Sequence, residues 1–380
     1  GSIWVHAVSL GETRASSALI DALRERRPEM RLLLTHGTAT GHDAGAALLQ
    51  PGDHQTWLPV DTPGATRRFF ARFRPAIGVL METEVWPNLI LAARRAGVPV
   101  VLANARLSER SFRRGRRIRA LLQPAIDSVA LALAQSADDA ARMRASGARA
   151  VEVCGNLKYD LTPDARQLAL GRAWRAQVDR DVVVAAVTRE GEEARLLAEW
   201  TRAPRGPTLL VIVPRHPQRF DDVAALIRAA GLTLARRSAW GDEPPAQALA
   251  AEVWLGDSMG EMPLYYGLAR VALLGGSFAP FGGHNLIEAA ACGCPLVMGP
   301  STFNFSDAAR RSLAAQASVQ VADMREGVST ATVLLREPEA LAELSAHAVQ
   351  FAGAHRGAAH RMALRILALI PARQSEPGTN

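Results

Sequence analysis

The sequence predicts an α/β protein that contains two doubly wound parallel sheets. Short, continuously apolar segments alternate with helical segments along most of the chain. Such segments are typical of parallel strands, because these strands are buried on both faces. They fall into two sets, and 380 residues are enough for two domains. We therefore predict two Rossmann-like lobes.

The predicted strands and helices follow one another as in βα units. The strands of the first set are Ile3–Val8, Arg31–Thr35, Ile77–Met81, Val98–Ala103 and Val129–Leu133. The strands of the second set are Val182–Ala186, Leu209–Val213, Glu252–Leu255, Val271–Leu274 and Pro295–Met298. Helices are predicted over Glu12–Arg27, Pro87–Ala96, Glu190–Arg202 and Asn285–Ala291.

The boundary between the lobes is predicted near Cys154–Ala165, where glycine, asparagine and proline interrupt the apolar pattern. We expect an N-terminal lobe over residues 1–157 and a C-terminal lobe over residues 158–352. The segment Pro338–Leu369 has a helical pattern without a strand. Residues 353–380 are expected to form a helix that packs back on the first lobe, followed by a disordered tail from Pro371.

The formal charge of +7 favours an anionic partner. Arginines are densest in the segment Arg106–Leu122, which is either a binding patch or a solvated helix face. No nucleic-acid motif accompanies this segment, so we do not expect a nucleic-acid partner. No apolar run is long enough to span a bilayer, and no signal peptide is visible. Only three cysteines occur, which suggests a reducing compartment.

Carboxylates follow two predicted strands of the first lobe, where open α/β sheets bind ligands. Ser9 and Glu12 have the spacing of a capping box, so Glu12 either caps a helix or acts as a base, and both roles are compatible. Glu82 and Glu84 share one face of a strand end and are either functional or paired with nearby arginines. Lys158 is the only lysine of the chain, and it could contact an anion near the lobe boundary.

Polar and glycine-rich segments follow three strands of the second lobe. Arg215 and His216 are donors suited to a phosphate. Asp257–Met262 contains a glycine before a helix. The strongest signal is Leu273–Pro300, in which two Gly-Gly pairs precede His284, Asn285 and Glu288, residues suited to a nucleotide and its ribose. Motifs for dinucleotides, P-loops, zinc and nucleophile elbows are missing, and no metal or cofactor is predicted.

Eight segments in order resemble the motifs of Kdo transferases, the bacterial glycosyltransferases that add 3-deoxy-manno-octulosonic acid (Kdo) to the lipid A precursor. They are WVHAVSLGETRA, METEVWPNLI, ANARLSERS, GNLKYD, TREGEE, VPRHPQRF, GDSMGEMPLYYGLA and GGSFAPFGGHNLIEAAACGCPLVMGP. The resemblance runs from Trp4 to about Phe305. One departure is Arg189 in TREGEE, at a position that the family often fills with histidine.

The resemblance implies a GT-B fold with an interlobe cleft and an inverting, metal-independent transfer of Kdo from CMP-Kdo to lipid IVA. Glu12 would be the base, with Glu82 and Glu84 on the acceptor side. The implied donor-binding residues are Lys158, Arg215, His216, Ser258, Met259, Gly260, Glu261, Gly276, Gly283, His284, Asn285 and Glu288. The implied acceptor and membrane patch consists of Arg113, Arg114, Arg116, Arg117 and Arg119.

The resemblance also implies a place at the cytoplasmic face of the bacterial inner membrane, on an anionic surface. The family normally has an N-terminal anchoring segment that is not in this sequence, so attachment would be peripheral or through that missing anchor. Two alternatives remain. One is another GT-B nucleotide-sugar enzyme, such as a sugar-nucleotide epimerase, and the other is a two-lobed ligand-binding protein without catalysis.

Overall fold

Each half of the chain forms a parallel sheet whose strands are joined by helices. The structure, a computed structural model, describes residues 1–160, 162–204 and 206–370. In these residues the first sheet has the order β3-β2-β1-β4-β5-β6-β7. Its strands are β1 (Ile3–His6), β2 (Leu32–His36), β3 (His54–Trp57), β4 (Ile77–Met81), β5 (Val100–Ala105), β6 (Leu131–Ala134) and β7 (Val151–Val153).

The second sheet has the order β10-β11-β9-β8-β12-β13-β14. Its strands are β8 (Val182–Thr188), β9 (Leu209–Pro214), β10 (Leu234–Arg236), β11 (Val253–Leu255), β12 (Val271–Leu274), β13 (Leu296–Met298) and β14 (Val319–Gln320). All strand pairs of both sheets are parallel. The predicted doubly wound α/β fold is confirmed.

The helices lie between and after these strands. In the first half they are α1 (Leu10–Arg26), α2 (Ala39–Gly45), α3 (Pro63–Phe73), α4 (Pro87–Arg95), α5 (Glu109–Arg117), α6 (Arg119–Ile126) and α7 (Ala137–Ala145). They continue with α8 (Ala165–Val178), α9 (Glu192–Arg202), α10 (Phe220–Ala229), α11 (Ala246–Ala250), α12 (Met262–Leu268), α13 (Leu286–Ala291), α14 (Ser306–Ala314), α15 (Met324–Leu335), α16 (Pro338–Ala354) and α17 (Ala358–Leu367). No helix in the described ranges is long and apolar enough to cross a membrane.

The chain divides into two compact units. Unit 1 contains Gly1–Leu161 and His355–Asn380, and unit 2 contains Thr162–Ala354. Sequence reasoning placed the corresponding boundaries at 157/158 and 352/353. The tail helix that was predicted over Pro338–Leu369 is two helices, α16, which ends at Ala354, and α17, whose N-cap residue Gly357 has a left-handed φ of 89°. The tail prediction for Pro371–Asn380 concerns residues that lie outside the described ranges.

Both faces of the first sheet are buried, as β1 illustrates. Ile3, Val5 and Ala7 contribute to one core cluster, together with α1 and α17. Trp4, between them in sequence, contributes to the cluster on the opposite side with Phe69 of α3. Successive side chains of a strand point to opposite faces, so a strand covered on both faces is apolar at every position. This is why the sequence predicted β1 as a continuous apolar run.

Four strands were not predicted, and they are the strands at the edges of the two sheets: β3, β7, β10 and β14. Their residues are largely exposed or half-buried, in contrast to the central strands. An edge strand that is partly open to water does not need a continuous apolar run. The sequence pattern therefore identified the interior of each sheet and missed its margins.

Candidate active site

Glu12 lies in the first turn of α1, directly after the end of β1. Ser9 is the N-cap residue, and its Oγ accepts a hydrogen bond from the Glu12 backbone N–H at 3.3 Å. The Glu12 carboxylate accepts in return from the Val8 backbone N–H at 2.9 Å and from the Ser9 hydroxyl at 3.0 Å. The predicted capping box is thus present, with the reciprocal bond shifted from the N-cap to Val8. These bonds hold both carboxylate oxygens in a defined position.

Glu82 and Glu84 follow β4, the strand next to β1 in the sheet. The backbone of Glu82 is left-handed, with φ 56°, and its N–H donates to Ala103 O at 2.9 Å. A non-glycine residue in this region is strained, and such strain is often found at functional sites. The position of Glu82 is therefore imposed by its surroundings rather than by its own preference.

The three carboxylates influence one another. Burial raises the pKa of Glu12, and repulsion from Glu82 and Glu84 raises it further, against the lowering effect of the Val8 and Ser9 bonds. Burial also raises the pKa of Glu84, with a contribution from Glu82. The sheet order places the ends of β1 and β4 side by side. Glu12 and the pair Glu82 and Glu84, about seventy positions later in the sequence, therefore form one acidic cluster. Raised pKa values are typical of carboxylates that exchange protons near neutral pH.

Lys158 belongs to unit 1, in the 3₁₀ turn Leu157–Asp160, whereas the other predicted donor residues belong to unit 2. Burial lowers the pKa of Lys158, while the negative charge of Glu82 raises it and the charge of Arg106 lowers it. The ammonium group thus shares the electrostatic environment of Glu82.

Arg215 and His216 follow β9, as predicted. The Arg215 backbone N–H donates to Thr188 O at 3.0 Å, which joins this turn to the end of β8. Burial, assisted by Arg189, Arg215 and Arg219, lowers the pKa of His216. Burial together with Arg215, Arg189 and His216 lowers the pKa of His284 to about 4. Both imidazoles are accordingly neutral at neutral pH, and the positive charge here resides on the arginines.

The glycine loop after β12 folds back on itself. Gly276 and Gly283 have left-handed backbones, with φ of 70° and 72°, and the Gly283 N–H donates to Gly276 O at 2.8 Å. A Cβ at Gly276 would lie 3.2 Å from the His284 ring. Asn285 caps α13 by accepting from Ile287 N at 3.2 Å, and Glu288 lies in the first turn of that helix. The glycines therefore permit a close approach that larger residues would block.

The segment between β11 and α12 is held by ion pairs within unit 2. The Glu261 carboxylate binds the Arg237 guanidinium at 2.8 Å and also accepts from the Ser258 hydroxyl, whose oxygen lies 3.0 Å from the Tyr265 hydroxyl. Met259 is 60% exposed, and Gly260 has a φ of 80°. In this arrangement Glu261 shapes the loop, while the outward part, Met259 and Gly260, remains available to a ligand.

Helices α12 and α13, which follow the predicted donor loops, are short. They contain 7 and 6 residues and begin at Met262 and Leu286. The macrodipole of so short a helix is small, because it sums over few peptide units. The guanidinium groups are thus the stronger source of positive potential for a bound anion.

Two buried acids at the start of α9 were not predicted as site residues. Glu192 accepts backbone N–H bonds from Arg189 (2.8 Å), Gly276 (2.7 Å) and Phe278 (3.0 Å) and is fully buried. Glu193 binds Arg219 through both guanidinium nitrogens, at 2.7 and 3.0 Å, and accepts from the Thr188 hydroxyl. The two acids tie together the loops after β8, β9 and β12. The sequence did contain a signal for this role, the adjacent acids Glu192 and Glu193 in TREGEE. Two acids at a helix start directly after an apolar strand are unusual unless both are hydrogen-bonded or paired.

The predicted arginine patch lies on α5 and the start of α6. Arg113, Arg114 and Arg117 are exposed, and Arg113 pairs with Glu109 at 2.8 Å. Ile118 and Leu121 beside them are 49% and 69% exposed. The side chains of Arg116 and Arg119 are outside the described set. Exposed arginines next to exposed aliphatic side chains form a surface that combines positive charge with apolar area.

Among the residues described, no group of three or more His, Cys, Asp or Glu side chains has an arrangement that could hold a metal ion. The candidate groups for chemistry are therefore the acidic cluster in unit 1 and the arginine-rich loops in unit 2.

A family model described as 3-Deoxy-D-manno-octulosonic-acid transferase (kdotransferase) matches residues 1–161. A 3-deoxy-D-manno-octulosonic acid transferase from Bordetella pertussis is 47% identical over 369 residues, which cover 94% of this chain and 85% of that protein. A protein of the same name from Haemophilus influenzae is 36% identical over 347 residues, 89% of this chain and 78% of that protein.

The chain belongs to the Kdo transferase family. Identity at this level over nearly the whole chain confirms the family that the eight motifs indicated, and with it a glycosyltransferase of lipopolysaccharide biosynthesis.

Solved structures agree on the fold class. HepE from Anabaena in complex with UDP has a TM-score of 0.63 at 14% identity, covering 97% of this chain and 100% of that chain. A UDP-GlcNAc 2-epimerase from Neisseria meningitidis has a TM-score of 0.62 at 13% identity, covering 97% and 99%. At such identities the likeness concerns the fold alone, and it confirms that this Kdo transferase family member has the GT-B type of α/β fold.

Proposed function

We propose that this Kdo transferase moves Kdo from CMP-Kdo to lipid IVA, with inversion at the anomeric carbon and without a metal ion. The observation that carries the proposal is the Glu12 carboxylate, which is held by Val8 and Ser9 and has a raised pKa. An acceptor sugar hydroxyl is a poor nucleophile until a base removes its proton. In its ionised form, a carboxylate with a raised pKa is a stronger base than an ordinary one.

The proposed reaction is a single displacement. The acceptor hydroxyl oxygen forms the new bond to the anomeric carbon of Kdo, and its proton passes to Glu12. The bond from that carbon to CMP breaks on the opposite side, and CMP leaves with the bonding electrons. One displacement inverts the anomeric centre and needs one base on the acceptor side. Glu82 and Glu84 support the role of Glu12 by raising its pKa, and Lys158 supplies a positive charge close to Glu82.

The donor is proposed to bind to unit 2 through the predicted residues after β9, β11 and β12. Arg215 meets the phosphate, and the left-handed glycines at 276 and 283 let the nucleotide approach the backbone. Ser258, Met259 and Gly260 offer a hydroxyl, an exposed thioether and a backbone, while Asn285 and Glu288 are suited to the ribose. Neutral His216 and His284 can each accept or donate a hydrogen bond without adding charge.

Fixed guanidinium groups are the basis for proposing a metal-independent reaction. The leaving CMP develops negative charge on its phosphate, and arginines that are already in place stabilise such charge without reorganisation. Arg215 and its neighbours keep their charge at every working pH, because arginine does not lose its proton in proteins.

The acceptor side is proposed to dock at an anionic lipid surface through α5 and the start of α6. The exposed guanidinium groups of Arg113, Arg114 and Arg117 attract phosphates of the acceptor and of the bilayer, and Ile118 and Leu121 add apolar contact. This surface would place the enzyme at the cytoplasmic face of the inner membrane.

The deciding experiment incubates the protein with CMP-Kdo and lipid IVA in detergent and records the mass of the lipid. We expect a gain of one or more Kdo units, an inverted anomeric configuration by NMR, and an unchanged rate in EDTA. A lipid of unchanged mass would contradict the proposed substrates, and loss of activity in EDTA would contradict the metal-independent step.

Glu12→Gln tests the base assignment in the same assay. The amide keeps an acceptor for Val8 N–H but takes up no proton, so we expect turnover to fall by about 10²- to 10⁴-fold while CMP-Kdo binding persists. Glu29→Gln, at an exposed position after α1 in the same unit, is the matched control and should retain activity. Near-normal turnover of Glu12→Gln would remove Glu12 from this role.

A further inference from the structure

We propose that Arg189 binds an anionic group of the sugar-nucleotide donor at the carboxyl ends of β8 and β12. The inference rests on the proposed function, which supplies the donor. The anion is the phosphate of the nucleotide or the carboxylate of the sugar, and both present oxygens that a guanidinium group binds in a bidentate manner.

The place of Arg189 in the sheet is the first argument. Strands β8 and β12 are neighbours with Ala186 opposite Leu274, although three strands of this sheet, β9, β10 and β11, lie between them in the sequence. The strand order reverses between them, and ligands of open α/β sheets bind at such a reversal, beyond the carboxyl ends of the strands. Arg189 directly follows β8, and Gly276 lies two residues after β12.

The backbone of Arg189 is fixed, which is the second argument. Its N–H donates to Glu192 Oε2 at 2.8 Å, and the same oxygen accepts from Gly276 N–H at 2.7 Å. Glu192 Oε1 accepts from Phe278 N–H at 3.0 Å, and this carboxylate is fully buried. The buried acid thus joins the turn that carries Arg189 to the glycine loop. Preorganisation of this kind lowers the entropy lost when a ligand binds.

The direction of the side chain is the third argument. The Arg189 guanidinium carbon lies 4.4 Å from the centre of the Phe281 ring, so the ring covers one face of the group. A Cβ at Gly276 would meet Arg189 Cγ at 3.5 Å and the His284 ring at 3.2 Å. The side chain therefore packs against the glycine loop, between Gly276 and Phe281. An arginine stacked in this way keeps its N–H edge for a ligand.

The charge of Arg189 is the fourth argument. Within the described ranges, no carboxylate forms an ion pair with Arg189. Its charge also contributes to the lowered pKa values of His216 and His284, so it is not neutralised locally. A half-buried guanidinium group next to Arg215 creates a positive potential that an anionic ligand would balance.

The test is calorimetry of CMP and CMP-Kdo binding to the wild type, Arg189→Ala, Arg189→Lys and Arg195→Ala. Arg195 is an exposed arginine of α9 in the same unit and provides the matched loss of charge. We expect Arg189→Ala to weaken donor binding by about tenfold to a hundredfold, as for a lost charged hydrogen bond, and to reduce its salt dependence. The donor affinity of Arg189→Lys should lie between those of the wild type and Arg189→Ala. Arg195→Ala should bind the donor as the wild type does.

The two ligands distinguish the sources of the anion. Equal losses for CMP and CMP-Kdo identify the phosphate, and a loss for CMP-Kdo alone identifies the sugar carboxylate. Wild-type affinity of Arg189→Ala for both ligands would overturn the inference and leave the proposed function standing. Weaker binding that is matched by a lowered unfolding temperature in both Arg189 variants would also overturn it, because it would mark a structural role. If the wild type binds neither ligand, the proposed donor is wrong and the inference falls with it.

Discussion

At the scale of single residues, Glu12 illustrates how one side chain can serve structure and chemistry together. Its capping bonds to Val8 and Ser9 lower its pKa, yet burial and the charges of Glu82 and Glu84 raise the pKa by more. A capping glutamate on a solvated helix would show only the lowering contribution. The net rise therefore comes from the tertiary surroundings rather than from the capping box.

The pH profile should report this environment. The proposed base is active when it is deprotonated, so kcat should rise with pH through a midpoint above 4.5, the ordinary value for glutamate. Glu84→Gln removes a negative charge that raises the Glu12 pKa, so its midpoint should lie at lower pH than that of the wild type. A profile of kcat against pH for both proteins measures the direction in which the substitution shifts the midpoint. A Glu84→Gln midpoint at higher pH would show that the sign is wrong.

His6 should make unit 1 sensitive to acid. It is fully buried in β1, its Nδ1 lies 3.1 Å from Thr35 O, and burial lowers its pKa to about 4. The unfolded chain binds a proton below pH 6.5, whereas the folded state binds it only near pH 4. Stability is therefore lost as pH falls between these values, by about 3 kcal/mol in total.

His6→Asn keeps a donor for Thr35 and removes the titrating ring. Hydrogen exchange of β1 and β2 at pH 7 and pH 5, corrected for intrinsic rates, should show a smaller loss of protection in this variant than in the wild type. His54→Asn, at an exposed position of the same unit, should behave as the wild type does. Equal acid sensitivity of His6→Asn and the wild type would show that other groups control it.

At the scale of elements, α5 is the clearest case of a segment whose two interpretations the sequence left open. The structure shows that Arg113, Arg114 and Arg117 are exposed and that the next helix begins beside exposed aliphatic side chains. Arg113 is partly neutralised by Glu109, whereas Arg114 and Arg117 form no ion pair with a residue in the described ranges. An exposed helix of this composition attracts anionic surfaces, and the attraction weakens with salt.

Reversing two of these charges tests the surface. Arg114→Glu with Arg117→Glu should weaken sedimentation with vesicles that contain anionic lipid, at constant salt, and raise the KM for lipid IVA while leaving CMP-Kdo binding unchanged. Arg166→Glu with Arg172→Glu, at exposed positions of α8, provides the same change in net charge elsewhere. If both double variants lose vesicle binding equally, net charge rather than α5 is responsible.

At the scale of the whole molecule, unit 1 is built from both ends of the chain. Helix α17 contributes Ala358, Met362 and Ile366 to the core cluster that also contains Ile3 and Val5 of β1. Asp160, at the end of the first segment, accepts backbone N–H bonds from Gly357 and Ala359 and so caps α17. Arg361 donates to Cys154 O at 2.9 and 3.0 Å. The C-terminal helix is therefore an integral part of unit 1.

Asp160→Ala should loosen this helix. Loss of a capping carboxylate typically costs about 1 kcal/mol, so amides of α17 should exchange several times faster with solvent. Asp164→Ala is the matched control, since Asp164 caps α8 of unit 2 by accepting from Arg166 N and Gln167 N. It should accelerate exchange in α8 and leave α17 unchanged. Unchanged exchange of α17 in Asp160→Ala would show that core packing alone holds it.

The sequence by itself determined the interior strands of both sheets, the helices α1, α4, α9 and α13, and the family. A strand that is buried on both faces has a continuous apolar sequence, such as Val182–Ala186. A turn that comes close to a ligand contains glycines, such as Gly276 and Gly283. Both signals are local, so they can be read without knowing which strands pair. The motif order then identified the family before any contact was known.

Only the tertiary structure revealed the edge strands, the grouping of Glu12 with Glu82 and Glu84, and the hydrogen bonds by which Glu192 joins two loops. Strand β14 is half-open to solvent and carries no strong pattern. Glu84 affects the pKa of Glu12 because β1 and β4 are neighbours, and Glu192 binds Gly276 because β8 and β12 are neighbours. Such contacts depend on the order of strands in a sheet, which is set by the packing of the whole unit and leaves no trace in local sequence.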